Sequence, residues 1–311
     1  MQEEASPFKI EILGGIGEMI YSKTDQQIEI ILTKECNWFC KHCLYGINRY
    51  ENKLNIELIN KHIPYIFDVV SKLEKINICL VGGEIGLVNK ELLDVIFKHV
   101  EDFNFLVTIS TNGTYLKNYS EYYQHLINYI FCHLPDEPDN ELLNYKNVCF
   151  GKVFNEFDEE NIKRFLENHI DFQIDYLGFD YSLSNTASEV YIKYCYSNLL
   201  KLCDKYSNIS DSCKQDIENK LKLIPNLKRA RTTCSQLNQT VSVDLEDEKI
   251  VQCSGRSNNT IQLSEKNLKK IFSLHKPLFE YNIHCSSCFP WCIEKDFMDT
   301  IKIKLRNIKT L

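Results

Sequence analysis

The sequence predicts an α/β protein: an open, partial (β/α)6 barrel followed by a smaller α+β segment rich in cysteine. Three observations carry that prediction. From residue 28 to residue 177, short apolar runs of strand length alternate with longer segments whose apolar residues recur at helical spacing. Such alternation implies a parallel sheet with crossover helices, and six units fall short of the eight that close a full barrel. The stretches with unusual chemistry follow the first three runs, where barrel strands present their functional loops. Beyond residue 180 the alternation stops, and a hairpin and a second set of cysteines take over.

The elements follow in order. Residues 1–25 read as a covering segment; within it, residues 10–20 suggest a short hairpin, and Gly14, Gly15 and Gly17 suit a turn better than a phosphate loop. The first strand is 28–32. Ile56, Ile59, Ile63, Ile66, Val70 and Leu73 make the first helix, which Pro64 should kink or restart. Residues 76–81 form the second strand and end at Gly82-Gly83-Glu84. Leu92, Leu93, Ile96, Phe97 and Val100 mark the next helix, and 105–110 the third strand, which ends at Thr111-Asn112-Gly113-Thr114. A short helix at 119–126 and a strand at 129–133 follow. The polar connection 134–147 holds two prolines and room for one helical turn. Then come a strand at 147–154, a helix at 158–168 with an acidic first turn, and a strand at 172–177. Helices are expected at 188–206 and 212–224, a hairpin at 241–245 and 249–253 around Glu246-Asp247-Glu248, and a last helix at 263–274. Tyr191, Tyr194 and Tyr206 are expected to pack against the barrel. The expected division is 1–25 covering segment, 26–210 barrel and 211–311 cysteine-bearing domain.

The 311 residues suffice for one large or two ordinary domains. An apolar share of 44% and a charged share of 25% are those of a soluble globular chain. A net charge of −7 gives no support for a nucleic-acid partner. The basic residues of 220–231 and 302–309 read as solvated faces. The start, Met1-Gln2-Glu3-Glu4, lacks the order of a signal peptide, and no apolar run approaches the roughly 20 residues that span a bilayer. The expectation is therefore a cytoplasmic protein without a membrane partner. Fourteen cysteines in such a chain point to reduced thiols and metal ligation.

Cys36-Asn37-Trp38-Phe39-Cys40-Lys41-His42-Cys43 directly follows the first strand. Three thiolates so close cannot all pair with one another, and one metal centre can hold all three. An iron–sulfur cluster held by three cysteines keeps one iron open to another ligand. The spacing alone also fits a zinc knuckle. A strand before it, Gly-Gly-Glu after the second strand and Thr-Asn-Gly-Thr after the third favour the cluster. Together these motifs resemble the radical S-adenosylmethionine (SAM) superfamily, whose signature is CxxxCxxC. The resemblance implies a 4Fe–4S cluster on Cys36, Cys40 and Cys43, with SAM chelating the open iron. It places His42 where the family sets a ring near adenine, Gly82 and Gly83 for close backbone approach, and Glu84 as acceptor for the SAM amino group. Ser110, Thr111 and Asn112 would help to position SAM. Alone, Glu84 would read as a surface carboxylate and His42 as a loop residue.

Cys234, Cys253, Cys285, Cys288 and Cys292 form a second set: a pair spanning the hairpin, then CxxC and one more. It resembles the twitch/SPASM extension of radical SAM enzymes. That resemblance implies one auxiliary 4Fe–4S cluster on Cys234, Cys253, Cys285 and Cys288, with Cys292 competing for the fourth place. A zinc site from the same four residues is the alternative. The chain departs from the family at Glu248, which stands where the hairpin commonly has glycine. Cys79, Cys132, Cys149, Cys195, Cys203 and Cys213 read as small buried apolar residues. Cys79, Cys132 and Cys149 lie on predicted strands. If one points into the barrel, or if Cys292 is unligated, it is a candidate hydrogen-atom donor to a substrate radical.

The resemblance implies reductive cleavage of SAM to a 5′-deoxyadenosyl radical, which takes a hydrogen atom from a substrate. The reading preferred is a peptide substrate, in the epimerisation or crosslinking of a ribosomally made peptide. With only 25 residues ahead of the barrel, no separate leader-binding domain is evident, which weighs against crosslinking. The alternatives are a dehydrogenase or mutase of a sugar or nucleoside metabolite, and a non-catalytic iron–sulfur or zinc protein. An external one-electron reductant, such as flavodoxin or ferredoxin, is the expected partner.

Overall fold

Nine strands join into one sheet in the order β6-β5-β4-β3-β2-β1-β7-β8-β9. The computed structural model describes residues 26–40, 43, 52–73, 76–179, 189–223, 240–251 and 260–274. The strands are β1 (Gln26–Thr33), β2 (Ile76–Gly82), β3 (Val107–Thr111), β4 (Ile127–His133), β5 (Val148–Phe154), β6 (Ile174–Phe179), β7 (Thr240–Asp244), β8 (Lys249–Val251) and β9 (Thr260–Gln262). The helices are α1 (Ile56–Val70), α2 (Lys90–Asp102), α3 (Thr114–Tyr123), α4 (Glu159–Asn168), α5 (Glu189–Cys203), α6 (Asp211–Leu223) and α7 (Glu265–Leu274). β1 to β6 pair in parallel in sequence order, as the alternating pattern predicts. No described helix is long and apolar enough to cross a membrane.

Strand alternation divides the sheet into two faces. Ile28, Ile30, Leu32, Ile78, Leu80, Val107 and Ile109 join the apolar cluster that includes Ile59, Ile63 and Phe67 of α1 and Leu93, Ile96 and Phe97 of α2. The intervening residues turn to the barrel's inner face, which is polar. There Gln27 Nε2 donates to Glu29 (3.1 Å), Ser242 Oγ to Glu29 (2.8 Å) and Thr108 Oγ1 to Asn77 (3.2 Å).

Helix starts follow local chemistry. The side chains of Asn55, Asn89 and Asp158 accept first-turn backbone N–H groups of α1, α2 and α4. α1 is one helix through Pro64, with no restart. Its buried residues on both sides of Pro64 sit in one core, and each such side chain stabilises by about 1.5–3 kcal/mol, together more than the ~3 kcal/mol a mid-helix proline costs. α3 begins at Thr114, five residues before the predicted 119, because Tyr115 and Leu116 are buried and Gly113 turns the chain directly into the helix. A 3-10 turn, Asn140–Asn144, fills the expected place in the polar connection.

One further expectation is corrected. Lys220, read as solvated, is only 4% exposed. Its Nζ pairs with Asp216 one turn back and lies 4.6 Å from the Tyr176 ring centroid, so a carboxylate and a π-face replace water. Tyr191 and Tyr194 are largely exposed, with ring centroids 6.2 Å apart, yet Tyr194 meets Phe157, which packs against the core, edge to face at 5.6 Å. Tyr206 packs against the core directly, and it donates to Glu167 (3.1 Å). β9 was not predicted; three residues are too short for a periodic signal.

The predicted hairpin is present, β7 antiparallel to β8. β7 also pairs in parallel with β1, Val241 opposite Ile28 and Val243 opposite Ile30, so the hairpin extends the barrel sheet. Glu248 has φ +52°, in the left-handed region that favours glycine. A carboxylate stands at a glycine-like turn because its side chain is anchored: it pairs with Lys61 Nζ and meets His62 Nε2 at 2.8 Å, both on α1. Predicted features at 1–25 and 302–309 lie outside the described residues.

Candidate functional site

The loops after β1, β2 and β3 are sewn together by backbone and side-chain hydrogen bonds. Gly83 N donates to Thr33 O and Glu84 N to Glu35 O, each at 2.7 Å. These bonds need close approach: a Cβ on Gly83 would stand 2.1 Å from Glu35 O and one on Gly82 2.3 Å from Thr33 O. Glycine at both positions therefore holds the second loop against the start of the cysteine loop.

Glu84 is fully buried. One oxygen accepts from Gly86 N (2.7 Å) and Thr111 Oγ1 (2.8 Å); the other accepts from Thr111 Oγ1 (3.0 Å) and Asn112 N (2.7 Å). Burial pushes its pKa up, and the backbone and hydroxyl donors pull it back only in part. The resemblance implies Glu84 as an acceptor for the SAM amino group. In the structure the carboxylate points into the protein and joins the ends of β2 and β3. Fixed donors at Gly86, Thr111 and Asn112 hold it there.

Asn112 reaches the cysteine loop. Its Nδ2 donates to Asn37 Oδ1 at 2.7 Å and lies 3.9 Å from Cys36 Sγ, while Asn37 Nδ2 donates to Thr114 Oγ1 at 3.0 Å. Asn37 was not singled out from sequence, since an exposed asparagine between cysteines carries no periodic or spacing signal. Ser110 and Asn112 are half-buried and Thr111 is buried.

Cys36, Cys40 and Cys43 form no disulfide among the described residues and are half-buried on one loop. Cys36 Sγ accepts from Trp38 N at 3.3 Å, and Cys43 N donates to Cys40 O at 3.1 Å. Burial first, then the neighbouring Cys36 and Cys43, push the Cys40 thiol up, while Lys152 pulls it down. The thiols are thus near enough to feel one another, and a cation on β5 stands within electrostatic reach. Among the described residues no three His, Cys, Asp or Glu side chains close around a single metal ion. Three thiols on one loop beneath two glycine-bearing strand ends fit a cluster in which each thiolate takes its own iron. Phe39 between them is 74% exposed.

The other named residues separate. Cys132 packs in the apolar core on the helix side of the sheet, so it does not face into the barrel. Cys149, opposite Phe131 across β4 and β5, lies on the other face beside Tyr129, and burial pushes its thiol up to about 12. Cys79 shares the inner face, with Asn77 Nδ2 3.4 Å from its sulfur. His42, Cys234, Cys253, Cys285, Cys288 and Cys292 lie outside the described residues.

Solved structures of similar shape can now be set beside this geometry. Streptococcus suis SuiB bound to S-adenosylmethionine is 13% identical, with a TM-score of 0.51, covering 90% of this chain and 75% of that one. SuiB bound to the precursor peptide SuiA is 14% identical over 90% of this chain and 73% of that one, with a TM-score of 0.50. The enzyme anSMEcpe with bound AdoMet and the Cp18Cys peptide is 16% identical over 86% of this chain and 89% of that one, at 0.50. The fold is that of the radical SAM partial barrel. No protein-family model matches the chain, and no curated protein matches it. In the partial barrel of this chain, the loops of the first three strands thus form one hydrogen-bonded layer around Cys36.

Proposed function

We propose that this chain reductively cleaves SAM at a 4Fe–4S cluster held by Cys36, Cys40 and Cys43, and that the resulting 5′-deoxyadenosyl radical takes a hydrogen atom from a peptide. The observation that carries the reading is the interlocked layer of three strand ends: the cysteine loop, Gly82-Gly83-Glu84 and Thr111-Asn112. A cluster and SAM supply the radical chemistry when bound. The chain's own residues orient them: Gly82 and Gly83 keep the backbone close, Glu84 holds the Asn112 loop, and Asn112 steadies Asn37 beside Cys36. His42 is the ring placed near adenine. Cys234, Cys253, Cys285 and Cys288 hold one auxiliary 4Fe–4S cluster, with Cys292 as the competing ligand, in the segment 211–311. Peptides as substrates are supported by SuiB and anSMEcpe, whose structures contain SuiA and Cp18Cys. The polar inner face suits backbone amides of an extended chain. Of the candidate hydrogen donors, Cys149 is favoured by its face of the sheet.

The test is anaerobic reconstitution with iron and sulfide, then dithionite and SAM. About eight irons per chain are expected, about four after replacing Cys36, Cys40 and Cys43 by alanine, with 5′-deoxyadenosine formed only by the unmutated chain. Zinc in place of iron, or no 5′-deoxyadenosine, rejects the reading. A flavodoxin or ferredoxin should replace dithionite as one-electron donor.

A further inference from the structure

The turn between β7 and β8 is strongly acidic, and each of its carboxylates reaches a residue flanking the cysteine loop or on α1. Lys34, two residues before Cys36, places Nζ 2.7 Å from Asp244 and 2.8 Å from Asp247. The Lys34–Asp244 pair is largely enclosed, with side chains 19% and 7% exposed, and Asp247 caps it at the surface, 38% exposed. At the other end of the loop, Lys53 N donates to Glu246 Oε1 at 2.8 Å. One residue further, Glu248 is anchored to Lys61 and His62 of α1, the helix that follows the loop. The turn is itself braced, with Asp247 N donating to Asp244 Oδ1 (3.1 Å), Leu245 N to Ile31 O (3.2 Å) and Leu263 N to Glu248 O (2.8 Å). Parallel pairing of β7 with β1 brings this turn to the sheet end from which the cysteine loop departs.

We infer that the Asp244–Glu248 turn is a strap that fixes both ends of the cysteine loop, residues 34 and 53, and so positions Cys36, Cys40 and Cys43. The strap's role toward a cluster rests on the function proposed above; its role as a loop anchor does not. Closing a loop is an entropic cost, and fixing its two ends on one braced turn removes that cost before any ligand arrives. The arrangement also links the two cysteine sets, because β8 ends two residues before Cys253. Lys34, Asp244, Glu246 and Asp247 are positioning residues.

The test is hydrogen–deuterium exchange over residues 34–54 of the full chain, as isolated and after anaerobic reconstitution, together with the rate at which a chelator removes iron. Lys34→Met and the double variant Asp244→Asn, Asp247→Asn should each speed exchange at 34–36 by about threefold or more, since they leave partly buried charges unpaired. Both should speed iron loss in parallel. Glu246→Ala should speed exchange near residues 52–54. Lys249→Met, whose ammonium is 3.9 Å from Asp247 and 45% exposed, should change neither. Unchanged exchange at both loop ends overturns the strap, whatever the iron content. If Lys34→Met raises exchange throughout α2 and β3, the chain has unfolded and Glu246→Ala decides: no acceleration at 52–54 overturns the strap. If exchange accelerates as expected but the unmutated chain takes up no iron, the strap stands and the cluster reading falls.

Discussion

At the scale of single residues, Glu84 shows how a motif can be legible while its working geometry is not. Spacing after the second strand located it; nothing in the sequence said that its side chain would turn inward. The reason is a local surplus of donors. Gly86 N, Asn112 N and the Thr111 hydroxyl all converge on one point, and a buried carboxylate satisfies them together. Glu84→Gln should therefore destabilise the protein by about 1–3 kcal/mol, because the amide NH2 would face an N–H that has lost its acceptor. Urea unfolding of the isolated protein measures this. An unchanged midpoint would mean that the carboxylate is not a structural tie. Cys132 and Cys149 teach the same lesson. Both were read as strand cysteines, and only strand parity, fixed by which neighbours enter the core, separates the one facing the helices from the one facing inward.

At the scale of elements, strands and helices were legible because each has one apolar face, and their periods of two and 3.6 survive in the sequence. What was not legible was how distant elements meet. Glu248 illustrates this: its glycine-like φ is sustained by Lys61 and His62, which stand 187 and 186 residues away. His62 is buried, with Nδ1 2.6 Å from the Tyr65 hydroxyl and Nε2 2.8 Å from Glu248. The neutral ring fits both contacts, donating from Nε2 and accepting at Nδ1. Burial holds its pKa below the ordinary 6.5, against the pull of Glu248. The unfolded chain therefore binds the proton more readily than the folded one. The stabilisation is complete above pH 6.5 and declines as the pH falls from 6.5 toward the folded value. Thermal unfolding midpoints of the unmutated chain and His62→Gln, compared at pH 7.5 and 5.5, should show a steeper fall for the unmutated chain. Equal slopes would show that His62 is not the titrating group.

At the scale of the whole molecule, the pattern changes near residue 180, and the hairpin beyond that point pairs with the first strand of the barrel. β7 occupies the edge of β1 that the six-unit barrel would leave open, and Val243, Leu245 and Ile250 are fully buried there. Each of these side chains contributes about 1.5–3 kcal/mol by leaving water. Their loss would also expose the β1 backbone groups that now pair with β7, an edge prone to pairing with other chains. The sequence could not disclose this, because residues 240–251 carry the period of an ordinary hairpin, and a parallel pairing across more than two hundred residues leaves no periodic trace. A chain ending at residue 239 should therefore be insoluble or lack a cooperative unfolding transition, even though all six predicted barrel units remain. Soluble fraction and calorimetry of that truncation decide the matter. A soluble product that unfolds with the parent's transition would mean that the barrel folds without its seventh strand and that the hairpin is a separable attachment.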